Sequence, residues 1–88
     1  KINANKVYDY FELDSAYSIF EIAAPDAWIG KTIADLNPRK QFGLNILTVK
    51  KGETVLANMD ANYVFEKGDH ILVFGNTERI LAFTNKKI

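Results

Sequence analysis

The stretch WIGKTIADLNPRKQFGLNI, residues 28–46, decides how this chain reads. Thr32 is followed three positions later by Asp35, a hydroxyl and an acid spaced to satisfy the orphan amides of a helix start. A short helix is therefore predicted from about Thr32, with Ile33 and Leu36 on one face at i and i+3. Asn37 and Pro38 stop it, because the residue before a proline is pushed out of the α region, and Pro38 suits the first turn of a second short helical segment running through Gln41. Gly43 fits a left-handed cap at its end. Residues 44–49 (LNILTV) are rich in β-formers and read as a strand.

Working outward, residues 1–8 (KINANKVY) are polar and mixed, the pattern of an entering linker or the end of a preceding helix, so a domain boundary is placed at residue 9, with the domain spanning 9–88. Val7, Tyr8, Tyr10, Phe11 and Leu13 are β-formers interrupted by acids, and residues 17–22 (YSIFEI) alternate loosely, giving two strands with a turn at residues 14–16. Pro25 and Asp26 break that pattern. Past the opening stretch, Lys51 and Gly52 form a turn signal, and residues 53–57 (ETVLA) return as the second arm of a hairpin. Residues 58–63 read as a polar loop and residues 67–69 as a glycine turn. Residues 70–74 (HILVF) are apolar enough for a buried central strand. Asn76 is placed to cap a final helix carrying Ile80, Leu81 and Phe83, whose C-terminal dipole Lys86 and Lys87 complement. The fold class is α+β: a small mixed or antiparallel sheet with short helices.

Eighty-eight residues enclose one modest core, and a chain that is 48% apolar has the side chains to offset conformational entropy. Eleven basic residues balance eleven acidic ones, so the overall field that draws a protein to nucleic acid is missing and no nucleic-acid partner is expected. With no cysteine, the sequence holds neither a disulfide framework nor a thiolate metal site, which fits a reducing cytoplasm. The apolar runs are far too short to span a bilayer as helices. A domain this small gains from an oligomeric interface, and a homodimer is expected.

The inventory for catalysis is poor. His70 is the single histidine, which excludes a two-histidine metal site within one chain, and after Gly68 and Asp69 it reads as a turn or strand-edge residue. Glu12 with Asp14, or Asp9 with Glu12, reads as solvated acids at turns and edges. The glycines follow turn positions and match neither a phosphate loop nor G-x-G-x-x-G. Trp28 reads as core. No enzyme activity, metal or cofactor is expected. What remains is the segment NPRKQFGLNI, residues 37–46, where Arg39 offers a planar fork suited to phosphate and Asn45 offers both a donor and an acceptor. Both residues also suit a bland alternative, a solvated helix end and a strand edge.

At these residues the chain resembles the TrkA C-terminal domain, also called the RCK C-terminal domain, of regulatory subunits of bacterial Ktr and Trk potassium transporters. The likeness runs through YSIFEIAAP, WIGKTIADL, RKQFGLNI, the turn at KKGE and FEKGDHILVFGNTERI, in that order. It implies a domain that follows a Rossmann-type nucleotide-binding domain, dimerises, and gates a membrane potassium-transport subunit from the inner face of the membrane. It further implies a cleft across the dimer interface for the second messenger cyclic di-AMP, whose binding lowers transport. In that pattern the position of Arg39 addresses phosphate and that of Asn45 hydrogen-bonds the ligand, while Ile33, Ala34, Ile46 and Ala61 line the bases. Pro38 stands where the pattern usually has an aliphatic residue, and Ala34 and Ala61 are smaller than its usual side chains. A purely structural dimerisation domain, or the same module on another transporter, is the alternative reading.

Overall fold

Alternation of inward apolar and outward polar residues builds the sheet, as the two-residue period of a strand requires. A computed structural model describes residues 7–85; the readings made for residues 1–6 and for Lys86 and Lys87 lie outside them. Strand β1 (Val7–Glu12) pairs antiparallel with β2 (Tyr17–Ala23), and β2 with β5 (His70–Asn76). On its other side β5 pairs with β3 (Asn45–Lys51), which carries the two-residue β4 (Thr54–Val55). The order is β1-β2-β5-β3-β4, antiparallel throughout.

One face of this sheet is the core. Phe20, Ile22, Val49, Ile71 and Val73 are fully buried there, each removing apolar surface from water at roughly 25 cal/mol per Å². Leu44, Phe65, Ile80 and Trp28 join them in one cluster. Trp28 ends a short 3₁₀ turn, Asp26–Trp28, and stacks among Phe42, Phe65 and Phe83 at centroid distances of 5.3–6.1 Å. Its indole is core, as its sequence context indicates.

Three helices lie between and after the strands: α1 (Ile33–Leu36), α2 (Pro38–Phe42) and α3 (Thr77–Thr84). The expected caps are in place. Thr32 accepts from the Asp35 N–H and Asn76 from the Arg79 N–H, both at 3.1 Å, and Gly43 takes the left-handed conformation at φ 71°.

Four details differ from the sequence reading. Strand β1 starts at Val7, which pairs with Ile22, so Val7 and Tyr8 belong to the sheet and not to an entering linker. The second hairpin arm shrinks from 53–57 to Thr54–Val55, because Leu56 bonds Val49 and the chain then leaves the sheet edge. A bulge between Ile46 and Thr48 turns Leu47 out, leaving it 53% exposed. His70 is not at a strand edge: it opens the central strand, flanked by Ala23 and Lys50, and its Nδ1 lies 2.7 Å from Glu21 Oε2.

Candidate functional site

The junction of α1 and α2 sits over the first residues of β3 and leaves a concavity of about 300 Å³ beneath it. Its lining includes all six residues singled out in the sequence: Ile33 and Ala34 from α1, Arg39 from α2, Asn45 and Ile46 from β3, and Ala61 from the loop beyond β4. Asn37, Pro38 and Leu44 complete it. The walls are mainly apolar, with a few polar groups at the mouth, the usual makeup of a small-molecule site.

Arg39 is exposed and forms no ion pair among the described residues. The half-buried Asn45 side chain likewise makes no hydrogen bond there. Glu21, by contrast, is paired, with Lys50 Nζ at 3.5 Å and His70 Nδ1 at 2.7 Å. A guanidinium can offer two parallel N–H bonds to a phosphate, and a carboxamide can donate and accept at once. Pro38 is buried at the first position of α2, where its missing N–H costs nothing, so it does not disturb the helix that carries Arg39.

Two glycines bring Arg39 and Asn45 to one place. Gly43 reverses the chain between α2 and β3, with its N–H bonded to the Arg39 carbonyl at 3.1 Å. Gly75, on β5, lets this turn settle onto the sheet, since a Cβ there would stand 3.1 Å from the Gly43 carbonyl oxygen.

The opposite wall comes from far along the chain. The Ala34 N–H donates to the Ala61 carbonyl at 2.9 Å and the Ile33 N–H to the Tyr63 carbonyl at 3.3 Å, and Thr32 bridges Val64. These backbone bonds occupy the wall's own polar groups, so Ala34 and Ala61 present methyls. Behind them the segment is anchored by Asp69, which is 3% exposed. Its carboxylate accepts from Lys51 Nζ at 2.7 Å, the Tyr63 hydroxyl at 2.5 Å and the Glu66 N–H at 2.9 Å, while Lys51 also reaches Glu66 at 2.7 Å.

Burial alone would push the Asp69 carboxyl up, but the bonds from Lys51, Tyr63 and the Glu66 amide outweigh it and hold the group below the ordinary aspartate value. Burial would push Lys51 down, yet the bonds to Asp69 and Glu66 raise its ammonium above the usual lysine value. Burial and the bond to Asp69 both push the Tyr63 hydroxyl up. This is the arrangement of a structural anchor, with every partner satisfied.

Sequence reasoning missed Asn37 as a lining residue and missed the Asp69 anchor. For Asn37 a signal existed, an asparagine squeezed between a helix and a proline. For Asp69 there was none, since Lys51, Tyr63 and Asp69 meet only in the fold. Among the described residues no group of three or more histidines or acids is placed to hold a metal ion, and no helix is long and apolar enough to cross a membrane.

Comparison with known proteins adds to this geometry. The TrkA-C domain family matches residues 17–87. The chain is 34% identical over 85 residues to the Ktr system potassium uptake protein C of Bacillus subtilis (strain 168), covering 97% of this chain and 38% of that protein. Against the Ktr system potassium uptake protein A of Vibrio alginolyticus it is 28% identical over 80 residues, 91% of this chain and 36% of the relative. The chain thus spans well under half the length of these relatives. Among solved structures, it resembles the RCK C domain of the potassium transport protein KtrA in complex with cyclic di-AMP, with a TM-score of 0.69 and 31% identity over 77% of this chain and 80% of that one. The GsuK RCK domain, at 16% identity, shares the fold, with a TM-score of 0.69 over 94% of this chain and 20% of that one.

Proposed function

Since this chain belongs to the TrkA-C domain family, we propose that it is a ligand-sensing regulatory domain that binds cyclic di-AMP between two copies of itself. The observation that carries this reading is that Ala61 joins Ile33, Ala34, Arg39, Asn45 and Ile46 around one concavity, where the Arg39 and Asn45 side chains have no partner among the described residues. Cyclic di-AMP is two-fold symmetric with two phosphates, and a two-fold dimer supplies the same groups twice. One Arg39 per protomer then meets each phosphate. Ile33, Ala34, Ile46 and Ala61 face the bases, and Asn45 offers them a hydrogen bond. A single concavity of about 300 Å³ sits at the lower limit of ligand sites, roughly 300–1,000 Å³, and two facing ones reach well into that range.

In this reading the domain works in the cytoplasm beside a Rossmann-type nucleotide-binding domain and a membrane potassium-transport subunit. The ligand lowers transport by favouring one dimer arrangement over another. No catalytic step is involved.

Calorimetric titration of the chain with cyclic di-AMP, cyclic di-GMP and ATP tests the reading. One cyclic di-AMP per two chains is expected, with the other nucleotides binding far more weakly. Arg39→Ala removes a charge-assisted hydrogen bond of about 1.5–3 kcal/mol from each of the two protomers, so affinity is expected to fall by roughly 100-fold or more. Absence of heat across micromolar cyclic di-AMP sinks the proposal. The small side chains of Ala34 and Ala61 favour a second reading, a dimerisation domain without ligand, and that reading expects Arg39→Ala to be silent.

A further inference from the structure

The Ala61 wall of the concavity is a loop, residues 57–62, that leaves the sheet after β4 and belongs to no helix or strand. Most of it is exposed. Among the described residues, its one backbone bond to a helix or strand runs from the Ala34 N–H to the Ala61 carbonyl at 2.9 Å, while the Asn62 N–H turns back on the Asp60 carboxylate at 2.9 Å. Within this loop only Ala61 lines the ligand concavity. Met59, Asp60 and Asn62, with Leu56 and Tyr63 at the loop's ends, line a separate one of about 360 Å³. Close packing, which holds side chains in a core, therefore does not fix the loop.

Two hydroxyls hold it, one at each end. At the entry, Thr48 Oγ1 on β3 donates to the Leu56 carbonyl at 2.5 Å, beside the bond from the Leu56 N–H to the Val49 carbonyl at 2.9 Å. At the exit, the Tyr63 hydroxyl donates at 2.5 Å to the buried Asp69 carboxylate, immediately before β5. The Tyr63 ring packs edge-on against Phe65, with centroids 5.5 Å apart, so the ring keeps its seat with or without the hydroxyl. The strand ladder and the helix caps use neither hydroxyl. A half-buried hydroxyl needs some partner, and here both partnerships fall on the two ends of one loop.

We infer that Thr48 and Tyr63 are positioning residues for the ligand: their hydroxyls clamp the loop at both ends and so set how far the Ala61 wall stands from Arg39 and Asn45. This rests on the nucleotide-binding reading above. Neither residue lines the concavity, so each acts through Ala61, by keeping the wall in its binding-competent place before the ligand arrives. A site whose competent form is only partly populated binds more weakly in proportion to that fraction.

Tyr63→Phe and Thr48→Val each remove one hydroxyl and keep the shape of the side chain. The test titrates the chain and both variants with cyclic di-AMP by calorimetry and follows association and dissociation by stopped flow, at a temperature well below every melting point. A hydrogen bond is worth about fivefold in an equilibrium, and a cleft between two copies has two walls, so each variant is expected to bind about 5- to 25-fold more weakly. The loss is expected as slower association, since a wall already seated on the ligand makes the same contacts as before. The control is Ile22→Val, a core substitution on β2, two places from β3 in the sheet; it is expected to lower the melting temperature and leave affinity unchanged. Unaltered affinity in either hydroxyl variant, a loss carried by faster dissociation, or an equal loss in Ile22→Val overturns the inference while leaving the binding reading intact. If one hydroxyl variant does not fold, the other decides alone. No binding by the unaltered chain overturns both.

Discussion

Replacing Asp69 with alanine takes the acceptor away from three donors at once: the Lys51 ammonium, the Tyr63 hydroxyl and the Glu66 amide. Lys51 keeps its bond to Glu66 and is about a third exposed, so solvent recovers much of its loss. The other two donors are less forgiving, each costing about 1–3 kcal/mol when left unsatisfied away from water. The expected destabilisation is about 3 kcal/mol, at the lower end of what breaking a buried pair costs. For a domain of this size that lowers the melting temperature by roughly 12–24 °C.

Urea denaturation of Asp69→Ala against the unaltered protein measures it, and the pH dependence adds a second check. Asp69 has a lowered folded-state pKa, so its contribution is fully present above the unfolded value of about 3.9 and is lost as pH falls through the folded one. Lys51 has a raised one, so its contribution is present below about 10.4 and lost as pH rises through the folded value. The deficit of the variant is therefore flat between about pH 5 and pH 9 and shrinks in stronger acid. A deficit below about 1 kcal/mol at pH 7, or one that grows as the solution is acidified below pH 4, refutes the account of the anchor.

Gly43→Ala forces an L-side chain to φ 71° and brings its Cβ within 2.9 Å of the Arg79 guanidinium carbon. That side chain can swing away, so the backbone term of about 1 kcal/mol is the expected loss of stability in denaturant melts, and no measurable loss counts against it. Phe20→Ala empties the centre of the sheet, where Phe20 is fully buried and 4.9 Å from the Tyr10 ring. A cost of about 3–5 kcal/mol is expected from chemical denaturation, and a loss under 1.5 kcal/mol would show that the core closes over the gap.

Much of the sheet was legible because its signals are local. The run HILVF is too uniformly apolar for anything but an interior strand, and residues 70–74 do lie in β5 at the centre of the sheet. The caps at Thr32, Gly43 and Asn76 each satisfy neighbours within four residues, so a short window carried them. The hairpin arm at 53–57 was overdrawn because β-propensity extends past Val55, while the pull of the following loop toward α1 is a tertiary effect. The site was half legible. Arg39 and Asn45 were accessible as residue types with free hydrogen-bonding capacity, and the family likeness supplied Ile33, Ala34, Ile46 and Ala61. No local pattern brings Ala61 to Ala34, or Asp69 to Lys51. Asn37 was read as a stop signal, which it is: its left-handed conformation ends α1.

The strand order has a consequence in time as well as in space. Strand β5 enters the sheet between β2 and β3 although it is made last. Until residues 70–76 are available, β1 and β2 form one ribbon and β3 and β4 another, with no partner linking them. A two-stranded ribbon is marginal in water by itself. Both ribbons wait for the same insertion, whose contacts close loops of dozens of residues, so the sheet assembles late and in one step. The concavity under α1 and α2 rests on the start of β3, held in place by β5. A half-made chain therefore lacks a settled floor for this concavity, which takes shape only once β5 has joined the two ribbons.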